Sequence, residues 1–155
     1  MIARVLLFAS AVALGACATS DKRAAEATDK QLTAFMTAYT LAWNRHDAAV
    51  IARDFYRMGP SLDDQTASLK KQFDGLVAQG YDKSAIHEIA ACATGPDTGW
   101  AGMHFSRLKT DGEPLPPRDR ASQYDLKKFA DGWRITKLTG ADASQPLVCP
   151  RPKTS

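Results

Sequence analysis

The chain has 155 residues, 45% of them apolar, with 20 basic residues against 17 acidic. That length holds one domain with a single core, and that composition excludes a disordered or fibrous chain. The net charge of +3 is scattered, and the pairs Lys70-Lys71 and Lys127-Lys128 read as solvated faces rather than nucleic-acid contacts.

Residues 1–17 read as an export signal. Arg4 precedes an apolar run from Val5 to Ala16, broken only by Ser10 and Gly15, and such a run is too short to span a bilayer permanently. Leu14-Gly15-Ala16-Cys17 resembles the lipobox of bacterial lipoproteins. The resemblance implies diacylglyceryl transfer to the Cys17 thiol, cleavage just before it, and acylation of the new amino group by a fatty acid such as palmitate. An ordinary signal peptide cut near Ala16 or Ala18 is the other reading. The expected organisation is a leader over 1–16, a lipidated tether over 17–27, a domain over 28–142 and a tail over 143–155. The expected location is the bacterial cell envelope, anchored by lipid and facing the periplasm. Ala18 in place of Asp resembles the outer-membrane pattern. Export leaves no nucleic-acid partner.

With Cys17 lipidated, Cys92 and Cys149 remain as an even pair in an oxidising compartment, which favours a disulfide. The alternative is a buried Cys92 thiol, inside the run Ile89–Ala93, with Cys149 free on a mobile tail.

From Thr28, a candidate N-cap with Gln31 in capping-box position, the period is helical. Leu32, Phe35, Met36, Tyr39 and Trp43 form one stripe, read as a core-facing helix. Asp47 caps a second, shorter helix carrying Val50, Ile51, Phe55 and Tyr56. Met58-Gly59-Pro60 stops it. Ser61 and Asp64 open a third helix, which places Leu69, Phe73, Leu76 and Val77 on one face and closes at Gly80. After Tyr81 the pattern becomes strand-like. Strands are predicted over 84–94, 99–109, 120–129 and 133–139, with a long loop stiffened by Pro114, Pro116 and Pro117 and a hairpin turn at Asp131-Gly132. Helices followed by an antiparallel meander imply an α+β two-layer fold.

Two phrases carry a further resemblance. Ala42-Trp43-Asn44-Arg45-His46-Asp47-Ala48 and Asp131-Gly132-Trp133-Arg134-Ile135, in this order of elements, resemble the nuclear transport factor 2-like superfamily and its SnoaL-like branch. The resemblance implies a cone: a curved sheet wrapping a long helix, with a pocket at the open end. It includes isomerases, dehydratases and cyclases as well as many non-enzymes, so the fold says little about chemistry. Enzymatic relatives place a carboxylate base just after the second helix, where this chain has Arg57-Met58-Gly59-Pro60 and no acid before Asp63.

The candidate pocket residues are Tyr39, Trp43, Tyr56, His87, Glu88, His104 and Tyr124. On the second strand Ala101, Met103 and Phe105 share a face opposite Trp100, His104 and Ser106, and the more apolar set is the better core. Trp100 and His104 would then lie on the convex face, where such domains often form homodimers. No metal-ligand spacing, phosphate loop or cofactor motif is present. The leading expectation is a membrane-tethered, non-catalytic domain binding a small apolar ligand or a protein partner. The alternatives are a cofactor-free isomerase, dehydratase or cyclase acting on a small hydrophobic molecule, and an envelope assembly or secretion component.

Overall fold

A computed structural model describes residues 15–150, with side chains from residue 22 onward. Residues 1–14 of the expected leader, the lipid-bearing side chain of Cys17 and the end of the tail therefore lie outside the described residues. Helical segments precede the strands: α1 (Gly15–Asn44), α2 (Ala48–Val50) running into a π-helical turn (Ile51–Phe55), α3 (Leu62–Val77), β1 (Tyr81–Ala93), β2 (Thr98–Lys109), β3 (Arg120–Phe129) and β4 (Gly132–Ala141). The strands form one antiparallel sheet in the order β1-β2-β3-β4. This is the expected meander, in an α+β arrangement.

The first helix starts well before its predicted cap. Thr28 lies inside α1, where its hydroxyl donates to the Ala24 carbonyl at 3.0 Å. The run Ala24-Ala25-Glu26-Ala27 consists of strong helix formers, and their summed propensity outweighs a capping signature downstream. The stripe itself faces the core: Leu32 and Met36 are fully buried, and Tyr39 and Trp43 nearly so. Among the described residues no helix is long and apolar enough to cross a membrane.

Two polar side chains pin α1 along β1. Asp29 accepts the Ala93 N–H at 2.8 Å. At the other end Asn44 copies a strand neighbour, accepting the Ser84 N–H and donating to the Ser84 carbonyl, both at 2.9 Å. Buried edge groups of the strand are thereby satisfied without a fifth strand.

Asp47 caps α2 as expected, accepting the Val50 N–H at 3.1 Å. The chain then widens into the π-turn, closed by Tyr56 N–H to Ile51 carbonyl at 3.0 Å. The wider turn leaves both Phe55 and Tyr56 buried. Ser61 caps α3 through the Asp64 N–H at 3.1 Å, and Gly80 ends the turn beyond it with a φ of +85°. Leu69, Phe73 and Leu76 pack inward as expected, but Val77 is exposed.

Between β2 and β3 the proline-rich segment is shorter in effect than its sequence suggests. Pro114 pairs with Leu108, Leu115 N–H bonds the Arg107 carbonyl at 2.7 Å, and Leu115 joins the core. At the far end, Cys92 and Cys149 form a disulfide with their Cα atoms 6.2 Å apart. It draws the C-terminal segment across the outer face of the sheet. Leu147 reaches the site where Gly102 meets the Trp100 ring: a Cβ at residue 102 would lie 2.7 Å from Trp100 and 2.9 Å from Leu147. Trp100 is therefore only 6% exposed. It sits on the outer face, as strand alternation requires, with Leu147 of the tail beside it.

Candidate functional site

Four of the seven candidate residues meet inside the cone. Tyr39 stands at the centre, with ring centroids 5.7 Å from Tyr124, 5.8 Å from Tyr56 and 6.0 Å from Trp43. The Tyr39 and Tyr56 hydroxyls share a hydrogen bond of 2.8 Å. Trp43 Nε1 donates to the Tyr81 hydroxyl at 2.9 Å, and that hydroxyl also bonds Ser84 Oγ at 2.9 Å. Burial, reinforced by the neighbouring phenols, raises the Tyr39 pKa well above its ordinary value. Burial likewise pushes Tyr56 up to about 12 and raises Tyr124 and Tyr81. All four phenols stay neutral at physiological pH, so they donate and accept hydrogen bonds but do not act as bases.

The phrase around Trp43 is a latch. His46 adopts a left-handed backbone, with a φ of 54°, and its Nε2 bonds the Asp82 carbonyl at 2.8 Å. Its ring stacks between Phe73 and Tyr81, with centroids 4.9 Å and 5.4 Å away. Trp43, Asn44 and His46 thus each fasten the end of α1 to β1, while Asp47 caps α2.

The other three candidates are elsewhere. Ser106 and His104 lie on the sheet face opposite Met103 and Phe105. A bulge between Ile86 and Glu88 shifts the register there. His104 Nδ1 is 3.4 Å from the Glu88 carboxylate, and His87 Nε2 bonds Ser106 Oγ at 2.7 Å. Strand alternation and the bulge therefore separate His87, Glu88 and His104 from the aromatic centre. Among the described residues, no cluster of His, Cys, Asp and Glu is arranged to hold a metal ion.

The aromatic centre reaches solvent through Tyr56. A cleft of about 260 Å³ runs between α3 and β4, with Tyr56, Leu69 and Leu138 as its apolar surface and Gln65, Ser68 and Gln72 along its polar side. Met58-Gly59-Pro60 forms the remaining wall. Its lining contains one carboxylate, Asp64, which accepts the Ser61 hydroxyl at the start of α3. Asp63 lies on the same exposed first turn and is not part of the lining. The cleft can hold a small apolar body and offer it amide and hydroxyl groups. It has no free base to present.

Sequence patterning missed Gln65 and Leu138. Gln65 follows the cap by four residues and is simply polar in sequence. Leu138 turns inward because a register shift between Asp125 and Leu126 resets the alternation of β4 against β3.

The family model described as "NTF2-like protein (DUF6841)" matches residues 25–143. The fold resembles that of an NTF2-like protein with a cystatin-like fold from Novosphingobium aromaticivorans, with a TM-score of 0.57 at 15% identity, over 83% of this chain and 90% of that one. It also resembles a domain of unknown function with a cystatin-like fold from Nostoc punctiforme, with a TM-score of 0.53 at 18% identity, over 69% and 72% of the two chains. Aln2 from a Streptomyces species gives a TM-score of 0.53 at 11% identity, over 70% and 85%. At these identities the likeness is one of fold. No curated protein matches the sequence.

Proposed function

The chain belongs to the NTF2-like family DUF6841, and on that premise we propose a lipid-anchored protein of the bacterial cell envelope whose domain binds a small apolar molecule without transforming it. The observation that carries this reading is the cleft over Tyr56, about 260 Å³ in volume and bounded by Leu69 and Leu138. That volume falls just below the usual range of small-molecule sites, which argues for a ligand of one or two rings. The phenols behind it are neutral, and its single carboxylate is tied to Ser61. An isomerase or dehydratase would need a base within reach of the ligand.

The anchor rests on Leu14-Gly15-Ala16-Cys17. Cells expressing the full chain and fed an alkyne-tagged fatty acid should label the protein, and Cys17→Ser should abolish that labelling. Undiminished labelling of Cys17→Ser would refute the anchor. Ligand binding is tested separately, by chemical-shift titration of the mature protein with small aromatic and alicyclic molecules.

A further inference from the structure

Inward-facing residues at the far end of β2 and β3 build a second concave surface. Phe105 opposes Arg120 in the strand register, and Arg107 lies two residues further along the same face. They border a cleft of about 510 Å³ with Pro117, Ser122 and Gly140, and it shares no lining residue with the cleft over Tyr56.

Its charges are unbalanced. The Nε atoms of Arg107 and Arg120 are both buried, and neither has a hydrogen-bond partner among the described residues. Arg120 donates from one Nη to the Pro116 carbonyl at 2.7 Å. The ion pairs found among the described residues involve Arg53, Arg57, Lys83, His104 and Arg134, but neither of these two arginines. Two carboxylates lie on the rim, Asp119 and Asp142. Asp142 is occupied by the Ser144 N–H and hydroxyl, at 2.9 Å and 2.8 Å. Burial, and then the Arg120 charge, lower the Arg107 pKa. The tyrosines nearest Arg107 are held neutral and supply no counter-charge. Asp119 is exposed and pairs with neither arginine, and a half-buried pair of like charges with no carboxylate paired to either is costly to maintain. A bound anion removes that cost.

We propose that Arg107 and Arg120 form a binding site for a small organic carboxylate, its charged end bridging the two guanidiniums and its apolar body lying against Phe105. The planar guanidinium fork matches a carboxylate in two-point contact. Phe105, Pro117, Ala121, Ala141 and Ala143 give the cleft an apolar wall, which favours an organic acid over a bare inorganic ion. The site stands or falls independently of the lipid anchor and of the Tyr56 cleft.

The test is a titration of the full mature protein with benzoate, benzamide and inorganic phosphate, read from the Nε–H resonances of its arginine side chains. Benzoate should shift the Arg107 and Arg120 signals saturably, and benzamide should not. Arg107→Gln and Arg120→Gln should each weaken benzoate binding about tenfold or more, the loss of one charge-assisted contact. Arg107→Lys, which keeps the charge, should retain part of it and serves as the control if a Gln variant fails to fold. Without ligand, Arg107→Gln should unfold at the same or a higher temperature than the wild type, because one member of a repelling pair is gone. Equal binding of benzamide, phosphate binding without benzoate binding, no saturable shift, or benzoate affinity unchanged in both Gln variants would each overturn the proposal.

Discussion

Gln65 closes directly over Gly59: a Cβ at residue 59 would stand 2.5 Å from Gln65 Cγ. From that position Gln65 Oε1 accepts the Met58 N–H at 3.1 Å, and Nε2 donates to the Ser61 carbonyl at 3.2 Å. One side chain therefore fastens the Met58-Gly59-Pro60 strap to α3. With Tyr56, Gly59 and Pro60 it also forms the wall shared by the cleft over Tyr56 and its neighbour of about 300 Å³ beside Arg53 and Arg57. The strap occupies the stretch in which enzymatic relatives are expected to carry a base, and here it shapes a wall.

Gly59→Ala should displace Gln65 and break both of its hydrogen bonds. Because these bonds are exposed to solvent, the expected loss is about 1–2 kcal/mol in urea unfolding. Gln65→Ala should cost less, about 1 kcal/mol, since it leaves no clash. A Gly59→Ala protein as stable as the wild type would show that the strap is not held this way.

Trp43 should be a structural residue. Its ring lies 4.7 Å from Phe73, and its Nε1 bonds Tyr81. Trp43→Ala should cost about 3–5 kcal/mol, and Trp43→Phe less, mainly through the lost hydrogen bond. Retention of the melting temperature in Trp43→Ala, with loss of ligand binding alone, would assign the residue to the site.

Stability should fall in alkali before the native phenols ionise. The chain has four tyrosines, and burial raises the pKa of every one, Tyr56 to about 12. Below pH of about 10 both folded and unfolded phenols are protonated. Between about 10 and 12 the unfolded chain releases protons that the folded protein keeps, so stability drops as pH rises. Absorbance at 295 nm should show little phenolate in the native protein at pH of about 10.5, with a cooperative rise on unfolding. Free titration of two or more tyrosines near pH 10 would contradict the buried cluster.

The Cys92–Cys149 bridge spans 57 residues of sequence. Closing a loop of that length contributes about 4 kcal/mol in the chain-entropy model. Reduction should therefore lower the melting temperature, and it should free the tail from Trp100. Tryptophan fluorescence should report new solvent exposure before global unfolding. An unchanged emission maximum under reducing conditions would mean that the tail holds its place without the bridge.

Much of this architecture was legible because local signals and tertiary demands agreed. Asp47, Ser61 and Gly80 punctuate the helices as their side chains dictate, and the hairpin turns order the sheet. What escaped depends on contacts distant in sequence. The upstream start of α1 reflects propensity summed over several residues rather than one cap. The burial of Leu115 depends on pairing with Arg107, and the inward turn of Leu138 on a register shift. Alternation along β2 already puts His104 on the face opposite Met103, whereas the facing of His87 and Glu88 depends on the bulge between Ile86 and Glu88, which a strand sequence does not announce. Arg107 carried no sequence signal at all; that no carboxylate pairs with it is visible only in three dimensions.

The most direct measurement is a chemical-shift titration of the mature protein with small aromatic and alicyclic molecules, repeated on Leu138→Trp. Saturable binding should perturb Tyr56, Leu69 and Leu138 together and leave the added molecule chemically unchanged. Leu138→Trp should fill the cleft and remove binding while the protein remains folded. Perturbations that avoid these residues, or turnover that Asp64→Asn abolishes in a folded protein, would contradict a non-catalytic binding site over Tyr56.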